Sequence, residues 1–250
     1  MKIIVLGAAG RMGREVIRQI ENKRDLFTLV GAIEHSDHRH LGCDAGSLAG
    51  IVDKGVIISD VLSEKVLLGS DIWIDFSLPK GVAGHLKLAQ KYGKAIVIGS
   101  TGLSSEDLVL IDELARTIPI LKAANFSLGI NILMRLVEVA SKAVGDDFKI
   151  DIFEAHHKDK KDAPSGTALS LGAAIKGVND TVDIDYHSLR GGDITGDHTV
   201  IISGEGERLE LKHQAHSRAT FACGALQAAC HLNCSPPGIY SMRDVIEAKV

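Results

Sequence analysis

Through the first half of the chain, short apolar runs alternate with helix-length stretches in which apolar positions recur every three or four residues. Lys2 to Leu6 reads as a buried strand that passes into a glycine turn and a helix to about Glu21. Further strands are expected at Thr28–Ile33, Val56–Ile58, Ile72–Phe76, Ala95–Ile98 and Ile118–Leu121. Between them, Pro79 to Tyr92 predicts a helix closed by Gly93, and Ser104-Ser105-Glu106-Asp107 predicts a capped helix start. Strands that alternate with helices imply a parallel sheet covered on both faces. Beyond Ser127 the pattern changes to a long apolar helix reaching about Val144, a strand from Lys149 to Phe153 and a helix from Pro164 to about Lys176. Strands follow at Tyr186–Leu189, Thr199–Ser203 and Arg208–His213, and their alternation suits a sheet with one face on helices. A helix from about Ser217 to His231, a break at Pro236-Pro237-Gly238 and a helix from about Ser241 complete the pattern.

The first strand–turn–helix carries Gly7-Ala8-Ala9-Gly10-Arg11-Met12-Gly13. Glycines at such a turn let the backbone approach a pyrophosphate, and the helix start supplies a favourable field. The spacing departs from G-x-G-x-x-G, because Ala9 stands where the second glycine belongs. The second strand ends in Glu34, where an acid holds the hydroxyls of an adenosine ribose. His35, His38, Arg39 and His40 follow and offer partners for a 2′-phosphate, yet the acid points toward NADH. Ligands of such sheets bind beyond the carboxyl ends of the strands, where Asp75-Phe76-Ser77, Gly99-Ser100-Thr101-Gly102 and Ala123-Ala124-Asn125-Phe126 fall. Trp73 and His85 read as packing and surface residues. The fold class expected is α/β: a Rossmann-like dinucleotide-binding domain over residues 1–126 and 217–250, and a smaller α+β domain over 127–216.

Composition narrows the function. The 250 residues carry 28 basic and 32 acidic side chains, a net charge of −4, which argues against a dedicated nucleic-acid binder. No apolar segment approaches membrane-spanning length. Cys43, Cys223, Cys230 and Cys234 lack CxxC spacing, and Cys230, His231 and Cys234 read as buried reduced thiols and a neighbouring imidazole rather than a metal set. No metal is expected, and a cytoplasmic enzyme fits best.

Against that background the stretch Glu154 to Ala168, EAHHKDKKDAPSGTA, concentrates chemistry. His156 and His157 bring imidazoles whose unperturbed pKa is ~6.5, suited to general-acid work at neutral pH. On an extended strand they point to opposite faces, so one of them faces a given substrate atom. Lys158, Lys160 and Lys161 make a local positive field. Asp162-Ala163-Pro164-Ser165-Gly166-Thr167 reads as a helix start with proline in its first turn, where the amides of Ser165, Gly166 and Thr167 offer an anion seat. The stretch thus predicts a proton donor beside a carboxylate site.

In these motifs the chain resembles the dihydrodipicolinate reductase family, and the resemblance extends over essentially its whole length: Gly7 to Gly13, Gly99 to Gly102, Ala124 to Ser127, Glu154 to Thr167, and His213 to Arg218. The resemblance implies reduction of 4-hydroxy-tetrahydrodipicolinate in diaminopimelate and lysine biosynthesis, with NADH or NADPH as hydride donor. It implies that the cofactor is bound by Gly7, Ala8, Ala9, Gly10, Arg11, Met12, Gly13, Glu34, His35, Gly99, Ser100, Thr101, Ala123, Ala124, Asn125 and Phe126. Members often place arginine where this chain has His35, which weakens the case for NADPH. His156 matches the family's proton donor and Lys160 its catalytic partner. His157, Ser165, Gly166, Thr167 and Arg218 match contacts to a small dicarboxylate substrate. The resemblance also implies a homotetramer formed through the second domain.

Two other readings compete. Another two-domain Rossmann reductase, such as a semialdehyde dehydrogenase, needs a catalytic cysteine, and Cys43 lacks a suitable setting. A dinucleotide-sensing protein without catalysis would have no use for a proton donor beside an anion seat.

Overall fold

The computed structural model describes residues 1–248. The chain forms two compact units, one from Met1–Phe126 joined by the segment from Phe221 onward, the other from Ser127–Thr220. The return thus falls after Thr220, a few residues beyond the boundary expected at 216/217.

The first unit runs β1 (Lys2–Leu6), α1 (Arg11–Asn22), β2 (Thr28–Ile33), α2 (Ala45–Ala49), β3 (Ile58–Ser59), α3 (Glu64–Gly69), β4 (Ile72–Asp75), α4 (Pro79–Lys91), β5 (Ala95–Ile98), α5 (Ser105–Leu114) and β6 (Pro119–Lys122). The second contributes α6 (Leu128–Val144), β7 (Lys149–His156), α7 (Gly166–Lys176), β8 (Ile184–Arg190), β9 (Gly196–Gly204) and β10 (Glu207–Ala215). The chain then continues as α8 (Ala219–Leu232), β11 (Gly238–Tyr240) and α9 (Met242–Glu247).

Seven parallel strands order as β11-β6-β5-β4-β1-β2-β3. Ile72, Trp73 and Ile74 of β4 and all of β5 are buried, as strands covered on both faces must be. Helix α4 starts with Pro79, whose missing N–H costs nothing there, and buries Val82, Leu86 and Ala89 on one face. In α5 the Ser104 hydroxyl accepts the Asp107 amide while the Asp107 carboxylate accepts the Ser104 amide, a reciprocal cap. Strand order reverses at β1, so the crevice beyond Leu6 is where such a sheet binds ligands. Strand β11 was not expected: Pro236 and Pro237 read as a break, yet Gly238–Tyr240 pairs in parallel with β6 directly after them.

The second unit is a sheet of order β10-β9-β7-β8, antiparallel except for β7 with β8. One face is covered by α6 and α7, whose Leu133, Val137, Leu171 and Ile175 form a core with Ile150, Ile152, Val200 and Ile202. Helix α7 approaches so closely that a Cβ on Gly172 would meet the Tyr186 hydroxyl at 1.8 Å. On the other face Phe153 and Leu189 remain 38% and 45% exposed.

Three local expectations are corrected. Strand β7 does not stop at Phe153 but runs to His156, and so carries Glu154 and His156 on its inward, alternating positions. Helix α7 starts at Gly166, capped by the Ser165 hydroxyl on the Ala168 amide, with Pro164 ahead of the cap rather than in the first turn. Cys230 and Cys234 are exposed rather than buried, the first near the end of α8 and the second just beyond it.

The turn after β1 is held by backbone proximity. Gly7 has φ +73° and a Cβ there would meet the Phe76 carbonyl carbon at 2.7 Å, while a Cβ on Gly13 would lie 2.1 Å from the Gly7 carbonyl oxygen. Gly13→Ala is therefore expected to destabilise the first unit by about 1–3 kcal/mol. Urea denaturation followed by the fluorescence of Trp73, the single tryptophan and fully buried in β4, checks this; an unchanged midpoint would contradict it.

Candidate active site

In the first unit, the carboxyl ends of β1, β2, β3 and β4 surround a cleft of about 310 Å³ lined by Gly7, Glu34, His35, Ser36, Asp60, Ser77, Lys80 and His85, among others. Glu34 reaches from the end of β2 to the glycine turn: its Oε2 accepts the Ala9 amide at 3.1 Å and its Oε1 the His35 amide at 3.1 Å. Gly7 and Ala8 donate to the Ile33 carbonyl, so turn and strand end form one rim. Gly7, Ala8, Ala9 and Gly13 are buried, Gly10 and Met12 partly so, and Arg11 is exposed. His35 is exposed at the cleft, whereas Arg39 donates from Nε to His40 Nε2 at 3.2 Å.

Behind this rim lies Asp75, fully buried at the end of β4. Its Oδ2 meets His85 Nδ1 at 2.8 Å, and its Oδ1 accepts the Ser77 amide at 2.8 Å and the Ser100 hydroxyl at 3.3 Å. Burial disfavours the ionised carboxyl, but the His85 bond and charge and the Ser77 bonds outweigh it and hold its pKa below the ordinary value. His85, read from sequence as a surface residue, is thus a partly buried partner of Asp75. Of the other rim residues, Gly99 lies under the Phe76 ring and Ser100 is buried, while Thr101 is exposed. Ala123 and Asn125 are half-buried, Ala124 is exposed, and Phe126 is buried edge-to-face against Phe76 at 5.6 Å.

In the second unit the chemistry centres on Glu154, which is 0% exposed. Arg190, at the end of the neighbouring strand β8, donates Nη1 to Oε2 at 2.8 Å and Nη2 to Oε1 at 2.6 Å. His156 Nδ1 lies 2.5 Å from Oε2, and the Ser165 amide donates to Oε1 at 3.2 Å. Opposite Glu154 on β9 is His198, and opposite His198 on β10 is His213, so polar groups continue a row that is apolar farther along the sheet. His198 Nε2 meets the Ser165 hydroxyl at 3.2 Å and His213 Nε2 the Ser127 hydroxyl at 3.1 Å, which places one histidine on the cap residue of each covering helix. The rings of His156 and His198 are edge-to-face at 5.2 Å.

These surroundings set the charges. Burial opposes ionisation of Glu154, but hydrogen bonds from Arg190, Ser188 and His156 prevail and lower its pKa to about 2. His156 is shifted down, chiefly by burial, with Lys160 and Arg190 adding to the shift and Glu154 opposing it. Burial, then the neighbouring His156, pushes His198 down to about 4.

The remaining expected residues are less converged. Lys160 is ion-paired to Asp162 at 2.8 Å, and its charge acts on His156. His157 is half-buried just past the end of β7, Gly166 is exposed and Thr167 half-buried in the first turn of α7, and Arg218 is exposed ahead of α8. The Ser165 amide is committed to Glu154, so the seat at the start of α7 narrows to Gly166 and Thr167.

The N-terminal sequence model of dihydrodipicolinate reductase matches residues 1–126, and the C-terminal one matches residues 129–246. The chain belongs to the dihydrodipicolinate reductase family. It is 42% identical over 267 residues to the 4-hydroxy-tetrahydrodipicolinate reductase of Pseudomonas fluorescens, covering 99% of each chain. It is also 42% identical to that of Acinetobacter baumannii, covering 98% of this chain and 96% of the other. Among solved structures, dipicolinate-bound dihydrodipicolinate reductase from Paenisporosarcina sp. TG-14 shares the fold, with a TM-score of 0.78 at 23% identity, over 98% of this chain and 99% of that one.

For this member of the reductase family, sequence reasoning singled out the stretch from Glu154 but gave Glu154, Arg190 and His198 no role, and it placed Asp75 at the strand-end rim without pairing it to His85. A signal for the cluster was present. Ile150, Ile152, Glu154 and His156 share one face of β7, and Ile202, Val200 and His198 one face of β9, so an acid and a histidine continue inward-facing apolar positions. A buried polar group at such a position requires partners.

His198 gives a pH test. The folded state resists a proton that the unfolded chain takes up near pH 6.5, so its contribution to stability is complete above pH 6.5 and is lost as the pH falls toward 4, by about 3 kcal/mol in all. His198→Gln is expected to flatten unfolding free energy against pH over this window by up to about 1.4 kcal/mol per pH unit. Denaturant titrations at several pH values check this; an unaltered slope would show that His198 takes up its proton in the folded state.

Proposed function

We propose that the chain reduces 4-hydroxy-tetrahydrodipicolinate to tetrahydrodipicolinate in diaminopimelate and lysine biosynthesis, with His156 as the proton donor. The observation that carries this reading is the cluster at the end of β7, where a buried imidazole, an ionised carboxylate and a helix start share one set of hydrogen bonds. Family membership over both halves of the chain supports the substrate.

The residues present suit a nicotinamide dinucleotide. Gly7, Glu34 and His35 line one cleft at the strand ends, and the Glu34 carboxylate stands at the end of β2 with lone pairs for ribose hydroxyls. The dinucleotide-binding role is assigned to the first unit, through Gly7 to Gly13, Glu34, His35, Gly99 to Thr101 and Ala123 to Phe126. When bound, the reduced nicotinamide supplies a hydride. We assign NADH as the preferred donor, because Glu34 holds the ribose position and Arg39 is turned onto His40.

The substrate is a cyclic hydroxy-imine with two carboxylates. Loss of water yields the conjugated acceptor, hydride adds to it, and His156 protonates the enamine carbon that results. Lys160 and the Gly166–Thr167 end of α7 hold a carboxylate, with His157 and Arg218 as further contacts. The exposed Phe153 and Leu189 on the open sheet face support assembly through the second unit, and we assign a homotetramer acting in the cytoplasm. The second unit contains no cysteine, which weighs against a thiol-dependent semialdehyde dehydrogenase. A sensor without catalysis leaves the charged cluster around His156 without a use.

His156→Gln is expected to lower turnover roughly 10²-fold or more while NADH affinity is unchanged, measured with enzymatically generated substrate and by separate cofactor titration. Survival of turnover would transfer the proton donation to Lys160 or water. Wild-type protein that turns over with neither nicotinamide would favour the sensor. For the cofactor, kcat/KM is expected to be higher with NADH than with NADPH, and Glu34→Gln is expected to narrow that ratio; a wild-type preference for NADPH would refute the assignment.

A further inference from the structure

We propose that Glu154, clamped by Arg190, is the positioning residue of the reaction: it accepts the Nδ1 proton of His156 and so makes Nε2 the atom that delivers a proton to substrate. The inference rests on the proton-donor reading of His156.

Hydrogen-bond bookkeeping leads to the tautomer. The Arg190 guanidinium and the Ser165 amide can only donate, and they occupy both oxygens of Glu154. A buried carboxylate surrounded by donors in this way stays ionised and can only accept. The His156 nitrogen 2.5 Å from Oε2 must therefore carry a proton, which fixes Nδ1–H and leaves Nε2 as the atom able to gain and lose one. The ring is also fixed in space, because His156 is 8% exposed and packs against His198.

The space beside Nε2 agrees. A Cβ on Gly196, the first residue of β9, would lie 3.2 Å from His156 Nε2, tighter than ordinary van der Waals contact, so a bare backbone there keeps that nitrogen clear. Glu154 Oε1 also accepts the amide of the α7 cap residue, so one carboxylate spaces the acid from the start of α7. Arg190 Nη2 donates as well to the Asp162 carbonyl at 2.6 Å, which ties down the loop carrying Lys160.

The charged and titratable groups around His156 are Glu154 on its own strand, Arg190 on β8, His198 on β9 and Lys160 in the following loop. Among them Glu154 favours the imidazolium, while Arg190 and Lys160 disfavour it. Removing the carboxylate charge must move the titration of His156 to lower pH.

Nitrogen-15 NMR of histidine-labelled protein reads the tautomer directly, with the His156 signals assigned by their loss in His156→Gln. The expected result is a neutral wild-type ring protonated on Nδ1; an Nε2–H ring overturns the inference, and this measurement needs no variant of Glu154. Glu154→Gln is expected to lower kcat roughly 10²-fold or more, with NADH affinity retained, and to displace the His156-dependent limb of the kcat pH profile to lower pH. Reduced kcat with the limb in its wild-type place would make Glu154 a structural residue only and overturn the inference. Wild-type turnover in His156→Gln is a separate outcome, which overturns the proton-donor reading on which the inference rests.

Discussion

A carboxylate withdrawn from water inside a sheet–helix interface has to be surrounded by donors, and in the second unit that requirement governs everything near Glu154. An isolated buried charge would cost far more than a domain's margin of stability. Two guanidinium nitrogens, an imidazole and a helix-start amide answer the need. Each partner comes from a different place: Arg190 from the adjacent strand, His156 from two residues along the same strand, Ser165 from the start of α7. Local sequence alone could not hold these groups together; the register of β7 with β8 does, by setting His156 opposite Arg190.

The same end of the sheet also decides where the covering helices begin. Ser127 and Ser165 cap α6 and α7, and His213 and His198 meet their hydroxyls. Farther along the strands the positions facing the helices are isoleucine and valine, and the helices bury their own apolar faces there. The polar row is therefore the boundary at which apolar packing stops and hydrogen bonding takes over. Neutral His198 suits that boundary, since burial penalises a charged imidazole there and the neighbouring His156 adds to the penalty.

Much of this was legible in the residues. The β1 glycine turn and Glu34 at the end of β2 follow from local rules of backbone freedom and strand ends, and the structure has them where those rules put them, while the helix expected from Pro164 starts two residues later, at Gly166. What was not legible was pairing at a distance. His85 looked like a surface residue because its partner, Asp75, lies ten positions earlier on a different element. Arg190 sits 36 positions from Glu154, and only strand register brings them together. Strand β11 was hidden by two prolines, since three residues offer too little periodicity to outweigh them, and it exists because β6 presents an unpaired edge. Strand β7 looked shorter than it is because an acid and a histidine read as the end of an apolar run.

The discontinuity of the first unit has a consequence for the order of synthesis. Its sheet is open at β6 until β11 pairs there, and β11 lies beyond the whole second unit in the chain. On a ribosome, Met1 to Phe126 emerge with an exposed sheet edge, and the second unit must be made before the strand that closes it is available. The second unit is continuous, and its last residue, Thr220, precedes β11 in the chain. Until Gly238–Tyr240 follow, the emerging chain holds a second unit that is complete in sequence and a first-unit sheet with an unpaired border.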